Sequence, residues 1–407
     1  MLTAKLSNGE VISLVENQNK NHLQELRNNE IFYCRSCSEK VILKLGTKRI
    51  YHFAHEKGTT CTEDYDRESE YHMNGKMKLY AWLKNQGLSP ELECYYPAIK
   101  QRADIAFTYN EKTYCLEYQC STISPELFRK RTEGYQKRSF IPIWILGGKN
   151  IHRLGPHKAS LSSFHFLFLR ETAEYQGYLP SYCPQADHFI TLESLIPVST
   201  RNTHCHFSLK PLNKFTIQEL IEPKGPFKFY WKEWRRDMNR FKSSLLAHTM
   251  VNLDPFLLEL YSRSLNPYFL PAFVGLPLKN NYAIETPPFI WQAYIFLEHF
   301  YGQNKGKEIQ FREVYLQVLK RVRTQEIRLR SFPCLKRNLL PFAIDEYLGL
   351  LSDSGLLRKC EQNKYLIVKS INIAKNMEEW EKEEEIFYKH FSQKALFSNI
   401  LLLNNKK

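Results

Sequence analysis

The chain has 407 residues, of which 43% are hydrophobic and 25% are charged. This length exceeds what one hydrophobic core usually serves, and the ordinary composition excludes a fibrous or largely disordered protein. Lysine and arginine outnumber aspartate and glutamate by 57 to 43, which leaves a net charge of +14. The excess favours a polyanionic partner, with nucleic acid ahead of an anionic membrane surface.

The sequence also carries information about location. No apolar run reaches the roughly 18 residues of a membrane span, and the first residues lack the pattern of an export signal. The ten cysteines are few for this length, and several stand alone, unlike a disulfide framework. We therefore expect a cytoplasmic protein with no membrane span.

The first elements are short β-strands. Asn8-Gly9 lies between the apolar segments 2–6 and 11–15, which predicts a β-hairpin. Helical periodicity begins only later, over 67–85, where apolar residues recur at three- and four-residue intervals. One long amphipathic helix is predicted there.

Three strand-like segments follow, at 91–96, 103–109 and 113–119, and they predict an antiparallel meander. A capped helix is expected over 124–138, and the apolar segment 141–146 is expected to be a strand. Because a strand reached through a helix needs a crossover connection, this strand should lie parallel to a neighbour in a mixed sheet. The predicted order is helix, three strands, helix, strand.

Regular patterns are weaker beyond residue 150. Pro, Ser and His are scattered over 151–215, which indicates an extension or a linker. Long helical patterns dominate from about residue 216, for example over 308–330 and 342–357. A charged run follows over 378–389, and its acidic part, 378–385, is expected to be a solvated helix face or a surface for a basic partner protein.

One cluster of cysteine and histidine has the spacing of metal ligands. Cys34 and Cys37 form a Cys-x2-Cys pair, and His52, His55 and Cys61 follow. Two thiolates can bind one ion, and a second pair completes a tetrahedral zinc site. We expect Cys34 and Cys37 to bind a structural zinc with two of the other three residues. The alternative is a pair of buried thiols beside surface histidines.

Asp104 and Glu117 lie on adjacent predicted strands. Residues 117 and 119 are two apart and project from one face, and the turn at 110–112 can bring Asp104 beside Glu117. Such a pair suits Mg²⁺, which prefers oxygen ligands and retains water. Ordinary solvated acids are the alternative, but the apolar neighbours on both strands favour a paired or metal-bound state.

Glu68, His72 and Lys76 recur at four-residue intervals at the start of the predicted long helix, so they share one face. An exposed face with stabilising pairs between successive turns would explain this pattern. Because the helix directly precedes the strands with the acids, the same polar face is also placed to line a cleft over Asp104.

Five motifs occur in order within residues 1–150. They are Cys34-x2-Cys37, His52-Phe53-Ala54-His55, Glu68-Ser69-x2-His72-x3-Lys76, Arg102-Ala103-Asp104-Ile105 and Glu117-x-Gln119-x-Ser121. Together they resemble the competence protein CoiA family. The predicted order of elements also resembles the PD-(D/E)xK nuclease superfamily, whose core runs helix, three strands, helix, strand.

The resemblance implies a metal-dependent DNA nuclease that acts in natural transformation, where incoming DNA is processed or recombined in the cytosol. It assigns Asp104 and Glu117 to Mg²⁺ or Mn²⁺ and Glu68 to the acid of the first helix. Gln119 stands where the superfamily usually has lysine, and glutamine can only hydrogen-bond to the attacking water. Either Gln119 positions water, or Lys76 supplies the missing cation.

The resemblance and the predicted elements together divide the chain into four segments, within a multidomain α+β fold class. We expect a zinc-binding β-rich module over 1–62 and a PD-(D/E)xK-like nuclease domain over 63–150, with a restriction-endonuclease-like α/β core and a mixed sheet. An extension or linker is expected over 151–215, and a helical C-terminal domain over 216–407.

Further residues are candidates for contacts to DNA. Ser121 continues the face of Glu117 and Gln119, although a serine that caps a turn is an equal explanation. Arg131 and Tyr135 are one turn apart on the second predicted helix, where a solvated arginine and a core tyrosine explain them equally well.

Basic and aromatic residues interleave over 224–236, a mixture that suits single-stranded DNA because aromatic faces stack on bases. The candidates are Lys228, Trp231, Arg235 and Arg236. The alternative is an amphipathic helix with its aromatic residues in the core and its cations solvated. A second basic run, 320–337, allows the same two interpretations.

These observations predict a Mg²⁺- or Mn²⁺-dependent deoxyribonuclease with a structural zinc and with DNA as its partner, single strands being one option. Two alternatives stay open. One is a non-catalytic DNA-binding accessory protein with a degenerate nuclease fold, and the other is a scaffold for recombination proteins.

Overall fold

The structure is a computed structural model with three regions of different architecture. It describes residues 1–16, 19–47, 49–59, 61, 69–172, 174, 176–224, 227–248, 254–361, 363–393 and 400–402. A five-stranded sheet, a ten-stranded mixed sheet and a largely helical region follow one another along the chain. None of the described helices combines the length and the apolar character that crossing a bilayer requires.

The N-terminal region is a small antiparallel sheet with one helix. Its elements are β1 (Thr3–Leu6), β2 (Val11–Ser13), α1 (Lys20–Asn29), β3 (Phe32–Tyr33), β4 (Lys40–Lys44) and β5 (His52–His55). The predicted hairpin is confirmed, because β1 and β2 pair antiparallel and Gly9 in their turn has a φ of 88°. α1 was not predicted. Leu23 is its only buried residue, so the helix has almost no apolar periodicity.

The predicted order of helix, three strands, helix and strand is confirmed in the next region. Its elements are α2 (Glu70–Asn85), β6 (Glu91–Tyr96), β7 (Gln101–Tyr109), β8 (Lys112–Gln119), α3 (Pro125–Lys137) and β9 (Ile141–Gly147). The strands β6, β7 and β8 pair antiparallel, and β9 joins β8 in parallel. α2 lies directly on β8, since a Cβ at Gly75 would be 2.0 Å from a ring carbon of Tyr118.

The central sheet continues beyond β9. Residues without a predicted element form β10 (His152–Gly155), β11 (Lys158–Ser160), α4 (Ser163–Phe166), β12 (Arg170–Glu171), β13 (Gly177–Cys183), β14 (His188–Pro197) and β15 (Asn202–Pro211). β13 pairs in parallel with β9, so this segment extends the sheet and is not a linker. It was missed because β13 is buried on both faces and therefore lacks the alternation of a half-exposed strand.

The C-terminal region is mostly helical. Its elements are α5 (Ile217–Ile221), β16 (Phe227–Phe229), α6 (Trp231–His248), α7 (Pro255–Ser262), α8 (Pro288–His299), β17 (Glu308–Gln310), α9 (Phe311–Arg323), α10 (Leu340–Asp353), β18 (Leu357–Glu361), β19 (Lys364–Ile367), α11 (Met377–Gln393) and β20 (Ile400–Leu402). The helices predicted over 308–330 and 342–357 are shorter than expected. Gly355, with a φ of 74°, follows the end of α10, and the chain continues into a hairpin.

Two hydrophobic cores lie on opposite faces of the central sheet. Along β9, Trp144 and Leu146 belong to a core shared with α3 and the C-terminal helices. Ile143 and Ile145 belong to a second core under α2. This alternation follows from strand geometry, and it places α2 and α3 on opposite faces near the ends of β7 and β8.

Candidate functional site

Four of the five predicted zinc ligands converge. The ligand atoms that all lie within 4.8 Å of one another are those of Cys34, Cys37, His55 and Cys61. His52 is outside this group, and its Nδ1 lies 2.9 Å from the carbonyl oxygen of Ile50. His52 and His55 are three residues apart on β5, so their side chains point to opposite faces.

The turn between β3 and β4 positions the first two ligands. Cys34 donates its amide to Glu39 and accepts from the amide of Ser38, whose φ is 62°. The Ser36 amide lies 3.4 Å from the Cys34 sulfur. Burial raises the pKa of Cys37 to about 12, so metal binding would displace protons from these thiols. A Cys3His donor set can hold zinc.

Asp104 lies where β7 and β8 separate. The ladder between the two strands ends at Ile105, and Oδ2 of Asp104 accepts the backbone amide of Tyr118 at 2.9 Å. From α2, Nε2 of His72 lies 3.3 Å from the same oxygen, and Nζ of Lys76 lies 3.7 Å from Oδ1. Burial alone would raise the pKa of Asp104, but His72 and Lys76 outweigh it and hold the pKa below its usual range.

A third carboxylate, absent from the sequence predictions, belongs to this site. Glu93 on β6 is 1% exposed and accepts from the fully buried Lys76 at 2.8 Å. It also accepts the amides of Leu2 and Thr3 at 2.9 and 3.0 Å, which fastens β1 to the central sheet. Glu93 has a φ of 49°, which breaks strand alternation, so the sequence pattern could not show that its side chain turns inward.

Glu117 is held from the opposite face by α3. Its Oε1 accepts from the guanidinium of Arg131 at 2.5 Å and from the hydroxyl of Tyr135. Arg131 also donates to the carbonyl of Arg102 at 3.1 Å. Burial raises the pKa of Glu117 to about 7 against the opposing charge of Arg131, and the charge of nearby Asp104 adds to the rise. The two predicted acids are therefore neighbours in the fold.

The remaining residues predicted for this site have mixed positions. Gln119 donates from Nε2 to the carbonyl and the hydroxyl of Ser121, at 2.9 and 3.2 Å. Ser121 is exposed, whereas Arg131 is 7% exposed. Glu68 lies outside the described residues. The acidic site thus combines Asp104 and Glu117 with side chains from both α2 and α3.

The aromatic residues of 224–236 are largely part of the core. The fully or nearly fully buried ones are Phe227, Phe229, Tyr230 and Trp234. Trp231 is partly exposed, and its ring lies 5.0 Å from the ring of Tyr388 on α11. Burial prevents the four core rings from stacking on bases, so their packing favours the amphipathic-helix alternative for this segment.

Two of the five cations in this segment contact other side chains in the described part of the chain. Lys228 contacts His206 at 2.9 Å, and Arg235 donates to Glu384 at 2.8 Å, whereas Arg236 is exposed. Glu384 is 5% exposed. The acidic run on α11, for which a solvated face was one of the two expectations, is therefore partly buried. In the second basic run, Arg321 binds three glutamates of the helical region.

Comparisons with known proteins point to one family over most of the chain. The family models that match are those of the competence protein CoiA: its N-terminal domain over residues 15–64, its nuclease-like domain over 68–225 and its C-terminal domain over 230–380. The competence protein CoiA of Bacillus subtilis (strain 168) is 31% identical over 339 residues, which cover 83% of this chain and 89% of that protein. No solved structure matches. The chain therefore belongs to the competence protein CoiA family.

Proposed function

We propose that this protein is a metal-dependent deoxyribonuclease that processes incoming DNA in the cytosol during natural transformation. The observation that carries the proposal is that two buried carboxylates, Asp104 and Glu117, interact electrostatically where β7 and β8 separate, with Lys76 beside Asp104. The match to the nuclease-like domain and the net positive charge of the chain support it.

The acidic pair fits a hard divalent cation. Among the described residues, one oxygen of each carboxylate, Oδ1 of Asp104 and Oε2 of Glu117, accepts no hydrogen bond. Mg²⁺ binds through one or two carboxylates and keeps several waters for substrate phosphate. When bound, it or Mn²⁺ would supply an activated water and stabilise charge on the phosphate.

The surrounding side chains would orient these two acids. Arg131 and Tyr135 both hydrogen-bond to Oε1 of Glu117 and so fix its rotamer, whereas neither of them binds Oε2. Lys76 balances the charge of Asp104 from a buried position. Gln119 can hydrogen-bond to water or phosphate but cannot carry a charge, so we assign it a positioning role.

Zinc is proposed for the Cys3His cluster of the N-terminal region. Its soft thiolate donors differ from the oxygen donors of the acidic site, so the two sites should not compete for the same ion. Its role would be structural, because three cysteines and one histidine leave no open position for a substrate.

The test of the nuclease proposal is cleavage of labelled single-stranded, duplex and branched DNA with Mg²⁺, Mn²⁺ or EDTA. Asp104→Asn and Glu117→Gln keep the shape of each side chain, and each should lower metal-dependent cleavage on the order of 10²-fold or more. Asp187→Asn, at an exposed acid paired with Lys78, is the matched control and should cut normally. Failure of the wild type to cut any of these substrates with either metal would refute the proposal.

A second candidate is a non-catalytic DNA-binding accessory protein. It is favoured by the cations that already face both acids, Arg131 at Glu117 and Lys76, shared with Glu93, at Asp104, and by Gln119 in place of lysine. DNA affinity that ignores Mg²⁺ and survives both substitutions would support it. Capture of recombination proteins without any DNA binding would instead support a scaffold.

A further inference from the structure

The C-terminal region contains a unit with the element order of a winged helix. α8, β17, α9, α10, β18 and β19 follow one another, and the three strands pair antiparallel in the order β17-β19-β18. α9 contacts both α8 and α10, and α10 contacts β18. In this arrangement the third helix usually enters the major groove of DNA, and the hairpin of the last two strands forms a wing beside it.

The third helix of this unit is unsuited to reading bases. α10 has no lysine or arginine, and its charged residues are all acidic. Its Glu346 accepts the amide of Lys279 at 2.6 Å, and its Tyr347 donates to the carbonyl of Phe273 at 3.2 Å. The helix is therefore negatively charged and packed on the preceding segment, so phosphates would be repelled from it.

The hairpin of β18 and β19, which we call the wing, is open and basic. β18 begins with the buried Leu357 and then exposes every residue, including Arg358 and Lys359. Neither cation has an ion-pair partner among the described residues. Lys364, in contrast, pairs with Glu361 at 3.3 Å. The wing thus presents two cations to solvent that the protein does not neutralise.

More basic residues adjoin the wing. Lys305 and Lys307 are exposed just before β17, and the Ile367 amide donates to the Lys307 carbonyl at 3.0 Å, which places them beside the end of β19. The first turn of α9 carries the exposed Arg312 and is hydrogen-bonded to Asn363 in the turn of the wing. Cations therefore flank the wing at both ends.

The winged-helix unit is fixed to the central sheet by an unusually long connection between its second and third helices. Within this connection, Arg337 donates to Glu171 on β12 at 2.8 Å, and Arg330 donates to the carbonyls of Tyr282 and Ile284 at 3.1 and 2.6 Å. Because these arginines bind other parts of the protein, the connection is not a free loop. Through Arg337 and Glu171, these contacts tie the winged-helix unit to β12 of the central sheet.

We propose that the wing, through Arg358 and Lys359 with support from the flanking cations, binds the phosphate backbone of DNA without reading its sequence. The proposal rests on the proposed function for the identity of the polyanion. Exposed, unpaired cations neutralise phosphates and release counterions, whereas an acidic third helix excludes contacts to base edges. DNA held by the wing would be kept at a constant distance from the acidic site.

The test measures the binding of short labelled single-stranded and duplex DNA to the full-length protein by fluorescence anisotropy. All proteins carry Asp104→Asn, and neither Mg²⁺ nor Mn²⁺ is added, so that cleavage plays no part while the zinc site is left intact. Arg358→Glu with Lys359→Glu should raise Kd roughly tenfold or more, and the slope of log K against log salt should become shallower by about two.

The matched control reverses two exposed charges elsewhere, Lys112→Glu at the β7–β8 turn and Lys137→Glu at the end of α3. Its net charge changes by the same amount as that of the wing variant, but the changed residues lie away from the wing, so Kd should stay within about twofold. Equal affinity of the wing and control variants, whether both bind or both fail, would overturn the proposal. If urea unfolding shows that the wing variant is destabilised, Arg358→Gln with Lys359→Gln replaces it, with the same expected change in slope.

The outcome is separable from that of the nuclease test. Loss of binding in the wing variant, together with a wild type that never cuts DNA, would retain the wing and reject the nuclease. Normal cutting by wild type, together with unchanged DNA binding by the wing variant, would retain the nuclease and reject the wing.

Discussion

The two polar clusters of this protein differ in how their charge is compensated. In the Cys3His cluster, four donor atoms face one another within 4.8 Å. In the acidic site, each predicted metal ligand already faces a cation, Lys76 for Asp104 and Arg131 for Glu117. The proposed zinc would hold the first arrangement together, whereas the second has ion-pair partners within the protein and would not depend on its proposed metal for folding.

The largest expected effect comes from the uncompensated cluster. Cys34→Ser should abolish zinc binding and unfold the N-terminal region, because coordination in small zinc modules supplies on the order of 10 kcal/mol. Metal content by mass spectrometry and hydrogen exchange of peptides from β1 to β5 measure this. The control variant His52→Asn, at a histidine outside the cluster, should retain both its zinc and its protection from hydrogen exchange. If the zinc-free wild type keeps its protection from hydrogen exchange, the Cys3His cluster does not depend on a metal and the two clusters do not differ in this way.

An intermediate effect is expected where compensation is removed from a buried acid. Arg131→Met leaves Glu117, 1% exposed, without its ion-pair partner and should lower the free energy of unfolding by about 3–5 kcal/mol. Adding Glu117→Gln should restore much of this loss, since the buried charge is then gone. Urea unfolding of the two single variants and the double variant gives the coupling energy. If the losses of unfolding free energy in the two single variants simply add in the double variant, Arg131 does not compensate the charge of Glu117.

The smallest effect is expected at a buried cation that is only partly compensated. Lys242 on α6 is 2% exposed, and its Nζ lies 4.8 Å from the ring centroid of Trp380 and 5.5 Å from that of Phe289. Burial lowers the pKa of Lys242 from 10.5 to about 8, although Glu384 opposes the shift. Between these two values the unfolded chain binds a proton that the folded chain has released, so stability should rise with pH.

Lys242→Met should remove this alkaline rise and increase the free energy of unfolding at pH 7 by up to about 3 kcal/mol. Urea unfolding at a series of pH values between 7 and 11 measures both effects. Lys232→Met, at an exposed position of the same helix, is the control and should leave the pH profile unchanged. Parallel profiles for wild type and Lys242→Met would show that Lys242 is fully compensated.

Elements with local signals were predictable from the sequence. The Asn8-Gly9 turn and the capping residue Ser124 mark boundaries that the structure shares. β13 was not predictable, because burial on both faces leaves no alternation, and β17 is only three residues long. Local patterns identify elements but not how far a sheet extends.

The same limit applies to the polar sites. Spacing identified the Cys-x2-Cys pair, and strand geometry, once β5 is known, distinguishes His55 from His52. The acidic site depends on contacts between distant segments, such as that between Glu93 and Leu2, which are 91 positions apart. A helix pattern also does not show that Arg131 faces the sheet and not the solvent.

The tie between β1 and Glu93 sets an order of assembly during synthesis. β1 leaves the ribosome roughly 5–20 seconds before Glu93, at common rates of translation. All four residues of the Cys3His cluster emerge within that interval, so the proposed zinc site could form first and then dock through the amides of Leu2 and Thr3. Cells short of zinc during translation should therefore accumulate chains in which Glu93, and with it the buried Lys76, lacks its structural support.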